Sequence, residues 1–243
     1  MPAAHASIGG SNIQRIMLCP GSARLSATVP RTSSRAAARG TMLHGAMVEI
    51  IERGATAAQL LGVRYAMEGF VLEEADARVA VPKALHAFAT FTRGAERVEL
   101  ERKVVYRRNV WGTADVIGET QTHNLVGDFK FGAHAVPAED SPQMLFYVGA
   151  AITDGTLRMQ KTRMAIIQPG KRTLNTAYAT VRQIKAFNAD VERTARQAFR
   201  KNAPIIPGEV QCEWCPARDR CPARGPGLLR SALKGVDFGH NRV

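Results

Sequence analysis

Apolar positions along this chain recur with two different periods. In T-M-L-H-G-A-M-V-E-I-I-E-R, residues 41–53, His44, Met47, Val48 and Ile51 fall at i, i+3, i+4 and i+7. That spacing predicts one face of a helix, which Gly54 then ends. Residues 83–93 read as another helix. At 98–106 the period becomes two, because V-E-L-E-R-K-V-V-Y alternates and carries β-branched residues, the signature of a strand. G-T-A-D-V-I at 112–117 and N-L-V-G-D-F-K-F at 124–131 predict two more strands, separated by E-T-Q-T-H at hairpin length, so the three form a meander. Pro142 opens a helix through Q-M-L-F-Y-V-G-A-A-I, and R-M-A-I-I-Q at 163–168 is a strand stopped by Pro169-Gly170. Residues 179–201 form the longest predicted helix, with Val181, Ile184, Ala195 and Phe199 inward and Arg182, Lys185, Arg193, Arg196 and Arg200 outward. The order helix, three strands, helix, strand, helix predicts one α+β domain over 1–202, with a small Cys-bearing segment and basic tail over 203–243 beyond a Pro204–Gly208 linker.

Composition changes the picture mainly through charge. With 243 residues, 45% of them hydrophobic, the chain can bury a core without disulfides. No stretch approaches the roughly 18 uninterrupted apolar residues that a membrane span requires. Lys+Arg 33 against Asp+Glu 21 gives a formal charge of +12, the sign that attracts a polyanion, and nucleic acid is the expected partner. Residues 157–243 hold 17 Lys/Arg against 6 Asp/Glu, so a net +11 sits in the last third. The first 48 residues contain no acid, and Arg15, Arg24, Arg31, Arg35 and Arg39 punctuate a Ser/Ala-rich run of transit-peptide composition. Cys19-Pro20-Gly21 interrupts any amphipathic helix there and no secretory h-region is present, so a mature cytoplasmic chain is expected.

Four cysteines are unevenly spaced: Cys19 stands alone, and Cys212, Cys215 and Cys221 form C-x2-C-x5-C. Without a secretory signal, metal ligation is the better reading than a disulfide framework. Two thiolates two residues apart can turn back onto one centre, and Pro216 and Pro222 help hold the tight turns. Structural zinc usually draws its ligands as two local pairs, whereas here the fourth must return from about 190 residues away. A [4Fe-4S] cluster on all four thiolates fits better and zinc is the alternative, with Trp214 shielding the centre.

Asp115 lies on one predicted strand and Asp128 on its neighbour, with Lys130 two residues beyond. Alternation puts Asp128 and Lys130 on one face, and a hairpin can bring Asp115 beside them. Two carboxylates and an amine are a seat for Mg2+ or Mn2+ and for phosphodiester hydrolysis. The plainer reading is a cross-strand ion pair at a sheet edge. Gly112, Gly118 and Gly127 thin the surroundings where a ligand backbone could approach, and Phe129 points to the opposite, core-facing side.

Taken in order, G-T-M-L-H with His44, G-T-A-D with Asp115, G-D-F-K with Asp128 and Lys130, and Q-x-x-x-Y with Gln143 and Tyr147 resemble the RecB-like branch of the PD-(D/E)xK nucleases. The cysteine pattern resembles the iron-sulfur version of that branch, seen in AddB-type nucleases and CRISPR-associated exonucleases, and the wording is most similar to small phage- or prophage-encoded members. The resemblance spans nearly the whole chain. It implies a restriction-endonuclease-like core, a central mixed sheet flanked by helices, plus a C-terminal iron-sulfur subdomain. It also implies His44, Asp115, Asp128 and the Phe129 backbone carbonyl as Mg2+/Mn2+ ligands, Asp115, Asp128 and Lys130 as catalytic, and Gln143 and Tyr147 as supporting the lysine and contacting DNA. Glu101 falls between a partner of these ligands and a strand-face charge, and His123 and His134 match no family position. The implied activity is metal-dependent hydrolysis of DNA, as an exonuclease by family analogy, in a bacterial or phage-infected cytoplasm, with a homo-oligomer admissible. From a different class, a non-catalytic nucleic-acid-binding protein with a structural zinc or iron-sulfur site also accounts for the charge and the cysteines. It leaves unexplained two carboxylates amid positive charge.

Overall fold

The computed structural model describes residues 6–30, 34–61, 72–170 and 172–224. Of the cysteine-bearing segment and basic tail expected over 203–243, the part from 225 onward lies outside the described residues. In chain order the elements begin with the helices α1 (Ile13–Leu18), α2 (Ser22–Ala27), α3 (Arg35–Arg53) and α4 (Ala57–Leu60). A π-helical turn, Asp76–Ala80, leads into α5 (Val81–Phe91), and the strands β1 (Arg97–Arg107), β2 (Val110–Glu119) and β3 (Asn124–Phe129) follow. Then come α6 (Pro142–Thr153), β4 (Thr162–Ile167), β5 (Leu174–Ala179), α7 (Val181–Ala198) and α8 (Glu209–Glu213). No helix among the described residues is long and apolar enough to cross a membrane.

The chain divides into two compact units, Met1–Ser11 with Thr32–Ala189, and Asn12–Arg31 with Asp190–Val243. The first is α+β. Its five strands lie in the order β1-β2-β3-β4-β5, antiparallel except for the parallel pair β3–β4, which α6 connects. The expected meander and mixed sheet are therefore present. Helices flank the sheet on both faces: a Cβ at Gly127 would meet Phe91 of α5, while the side chain of the next residue, Asp128, bonds Gln143 of α6. Met42, Leu43 and Met47 of α3 and Val81, Ala84 and Phe91 of α5 pack with Val116, Leu125 and Phe129 of the sheet in one core. α6 buries Met144, Phe146, Tyr147 and Val148, with Phe146 against Tyr106 of β1.

Several boundaries differ from the sequence expectation. Helix α3 starts at Arg35, six residues earlier than the apolar stripe suggested, because Ser34 caps it by accepting from the Ala37 N–H. Its end is as expected, with Gly54 at φ 67. At 19 residues it is the longest helix, against 18 for α7. Helix α7 begins after Thr180, whose hydroxyl and backbone N–H are reciprocally bonded with Gln183. It buries Ile184, Phe187, Val191 and Ala195, while Phe199, expected inward, lies past its end and is exposed. The expected basic positions Arg182, Lys185, Arg193, Arg196 and Arg200 are exposed. Strand β5 was not anticipated: L-N-T-A-Y-A has weak apolar alternation, and pairing with β4 across the Pro169-Gly170 turn makes it a strand.

The second unit gathers the described cysteines. Cys19 follows α1 and is buried, Cys212 lies in α8, and Cys215 and Cys221 lie beyond it; all four are free thiols. The Ile206 N–H donates to Cys19 Sγ at 3.2 Å and the Gly208 N–H to Cys212 Sγ at 3.4 Å, while the Gly21 N–H reaches the Pro204 carbonyl at 2.8 Å.

Candidate functional site

The site grows from a place where the β2–β3 ladder opens. The strands pair from Glu119↔Asn124 to Val116↔Gly127, and the next positions in that register are Asp115 and Asp128. There a side chain replaces the backbone as partner: Asp115 Oδ2 accepts the Phe129 N–H at 2.7 Å. Both carboxylates are buried, Asp128 to 1% exposure. Burying a carboxylate is costly unless something compensates it, so each partner matters.

Asp128 Oδ1 accepts from Gln143 Nε2 at 2.8 Å, and Gln143 Nε2 also reaches the Tyr147 hydroxyl oxygen at 3.3 Å. Gln143 and Tyr147 stand at i and i+4 on α6, so one helical face supplies both. Asp128 Oδ2 lies 2.6 Å from Lys130 Nζ, yet the two are not aligned as a hydrogen bond, and that buried oxygen has no hydrogen-bond partner among the described residues. Burial and the charge of Asp115 push the Asp128 carboxyl up to about 6, against the opposing pull of Lys130 and His44. Burial also pushes the Tyr147 hydroxyl above its ordinary value.

From α3, His44 brings Nδ1 to 3.4 Å from Asp115 Oδ2 and 3.8 Å from Glu101 Oε1. Burial alone would lower the imidazole pKa, but the Asp115 and Glu101 carboxylates, with the charge of Asp128, raise it to about 10. Phe129 and Phe131 meet the imidazole edge to face at 6.1 and 5.6 Å. Glu101 reaches this point by a backbone irregularity. The β1–β2 register runs Leu100↔Val116 then Arg102↔Ala114, skipping Glu101, which adopts φ 47. Left-handed conformation in a residue with a Cβ costs roughly 1–3 kcal/mol and concentrates at functional positions. An open groove of about 530 Å³ lined by Glu52, Glu99, Glu101, Arg102 and Lys103 gives solvent access to this edge.

His44, Glu101 and Asp115 each offer a ligand atom, all within 4.8 Å of one another. Ligands at about 2.0–2.2 Å from a small divalent cation are at most about 4.4 Å apart, close to that spread. Two carboxylates with an imidazole, beside the buried Asp128 carboxylate whose Oδ2 has Lys130 as its one close partner among the described residues, fit Mg2+ or Mn2+.

The structure brings together His44, Asp115, Asp128, Lys130, Gln143 and Tyr147, and adds Glu101, whose role the sequence left open. Its one sequence signal was an acid alternating along V-E-L-E; the backbone twist that aims it has none. Phe129 lies in the core with its N–H on Asp115. His123 bonds Thr120 and Thr122 at the β2–β3 turn, and the His134 carbonyl is held by Gln168; both are loop residues. The glycines need correcting. A Cβ at Gly112 would come 2.8 Å from Tyr147 Cε1, at Gly118 2.7 Å from the Arg97 carbonyl, and at Gly127 3.1 Å from Phe91 and Val116. Protein, rather than a ligand backbone, fills those spaces.

An α+β fold carrying a His/Glu/Asp triad beside the buried Asp128 and its partner Lys130 defines a class: a candidate divalent-metal site at the opened end of a mixed sheet. By family, the chain belongs to the group described as protein of unknown function DUF2800, whose model matches residues 5–240. Among solved structures, "Crystal structure of SSO0001" is similar over 86% of this chain and 84% of that one, at 12% identity and a TM-score of 0.38.

Proposed function

We propose that this chain is a metal-dependent DNA nuclease of the RecB-like PD-(D/E)xK kind, acting as an exonuclease in phage-type DNA recombination, repair or degradation. The observation that carries the reading is the convergence of His44, Glu101 and Asp115 with the Asp128–Lys130 pair where β2 and β3 part. Bound Mg2+ or Mn2+ would polarise the scissile phosphate and lower the pKa of the attacking water. His44, Asp115, Asp128 and the Phe129 carbonyl would hold the ion, with Glu101 as a further carboxylate. Lys130 offsets phosphate charge and orients the water. Gln143 fixes the Asp128 carboxylate through Oδ1, which leaves Oδ2 for Lys130 and the ion, and Tyr147 orders Gln143.

For the second unit the reading is a structural [4Fe-4S] centre on Cys19, Cys212, Cys215 and Cys221, with zinc as the alternative. Support comes from their membership of one compact unit and from backbone N–H groups already directed at Cys19 and Cys212 sulfur, as ligating thiolates require.

The test is incubation of anaerobically purified protein with end-labelled linear and closed circular DNA, in Mn2+ or in EDTA. Mn2+-dependent loss of linear label, abolished in Asp128→Ala and Lys130→Ala, is the expected result. Intact DNA under every condition, or cleavage by Asp128→Ala at the wild-type rate, overturns the reading.

A further inference from the structure

The metal site draws on helix α3 for His44 and on the end of β3 for Asp128 and Lys130, and a partly exposed arginine on α3, ion-paired to the buried Asp76, also bonds the chain just past β3. Arg39 precedes His44 on α3 by five residues. Its guanidinium engages Asp76 with both ends of the fork, Nε to Oδ2 at 3.0 Å and Nη2 to Oδ1. Its remaining nitrogen, Nη1, donates to the Phe131 carbonyl at 3.2 Å. Phe131 directly follows Lys130, and its ring stacks on Phe129 and meets the His44 imidazole edge to face.

Asp76 is 6% exposed and opens the π-helical turn before α5, a wide turn of a kind that recurs at functional sites. With Arg39 partly exposed, the ion pair adds little net stability, since solvent screens it and desolvation of Asp76 offsets the attraction. Its value here is geometric. The planar fork holds three acceptors on two elements at fixed angles, which a lysine cannot do. Because Lys130 lies just beyond β3, its backbone is fixed on one side by its N–H to the Ile167 carbonyl and on the other by the Arg39 bond at Phe131.

We infer that Arg39, aimed by Asp76, is a positioning residue for the metal site: it locks α3 to the end of β3 and so sets His44 against Asp128 and Lys130. The inference rests on the metal-site reading above. Partners one step outside a metal's ligands typically tune affinity by about 10–100-fold.

The experiment compares wild type, Arg39→Met and Arg39→Lys by Mn2+ titration calorimetry, and by amide exchange of residues 129–131 in EDTA. Arg39→Met is expected to weaken Mn2+ about tenfold and to speed exchange at those amides, with exchange of the β4 amides unchanged. Arg39→Lys, which keeps the charge and the fold, is expected to lose several-fold in Mn2+ affinity; it carries the test alone if Arg39→Met does not fold. Wild-type Mn2+ affinity and wild-type exchange in a folded variant overturn the clamp and leave the nuclease reading standing. Wild-type protein that binds Mn2+ but leaves DNA intact overturns the nuclease reading alone. Absence of Mn2+ binding to wild type overturns the clamp together with the site.

Discussion

Glu101 is the residue at which strain and chemistry meet. Its left-handed backbone is unfavourable for any side chain with a Cβ, and only its carboxylate's place in the triad accounts for keeping glutamate there. Glu101→Gly should raise the thermal midpoint of metal-free protein, by the equivalent of about 1 kcal/mol, while weakening Mn2+ about tenfold. Thermal scans in EDTA and a Mn2+ titration check the two halves. His44 gives a pH prediction whose sign follows from its raised pKa. Because the folded value, about 10, exceeds the ordinary 6.5, the proton is bound more tightly in the folded state. That stability is complete below 6.5 and is lost as pH rises from 6.5 towards 10. In EDTA the thermal midpoint of wild type should therefore fall towards that of His44→Gln over this window, whereas saturating Mn2+, which binds the neutral imidazole, should reverse the trend.

Helix α6 shows how one element both builds the fold and serves the site. Its first two turns present Gln143 and Tyr147, and its second half packs so closely that Gly149 has no room for a methyl group. A Cβ there would collide with the Tyr106 hydroxyl and Asn188 Oδ1, which are hydrogen-bonded at 2.7 Å. Gly149→Ala should destabilise the protein by about 1–3 kcal/mol, seen as a lower urea midpoint at unchanged slope. Strands β1 to β4 and helices α3, α6 and α7 were legible because each carries a strong period and a nearby stop such as Gly54 or Pro169. Strand β5 was not, since its six residues have a weak pattern and form a strand only through pairing with β4. The π-helical turn at Asp76 was likewise invisible, and the partner of its first residue is an arginine 37 residues earlier.

Across the whole molecule, charge and cysteines carry the remaining expectations. A formal +12 has the sign that favours phosphate contacts, and on the proposed nuclease reading DNA affinity in EDTA should fall steeply as salt rises. The cysteines allow a sharper test. On the proposed [4Fe-4S] reading, anaerobically prepared protein is brown and Cys215→Ser should lose that absorbance together with much of the thermal stability; unchanged stability would point instead to sensing or electron transfer.

The sequence by itself determined strands β1 to β4 and helices α3, α5, α6 and α7 in their order, the chain positions of His44, Asp115, Asp128, Lys130, Gln143 and Tyr147, and the net positive charge, because period, turn chemistry and residue type are local properties. Only the tertiary structure decided that Glu101 joins the triad, that the space beside Gly112, Gly118 and Gly127 is filled by protein, and that Arg39 pairs with Asp76 and bonds the Phe131 carbonyl. Each of these depends on atoms brought together from distant parts of the chain, at distances no local pattern encodes.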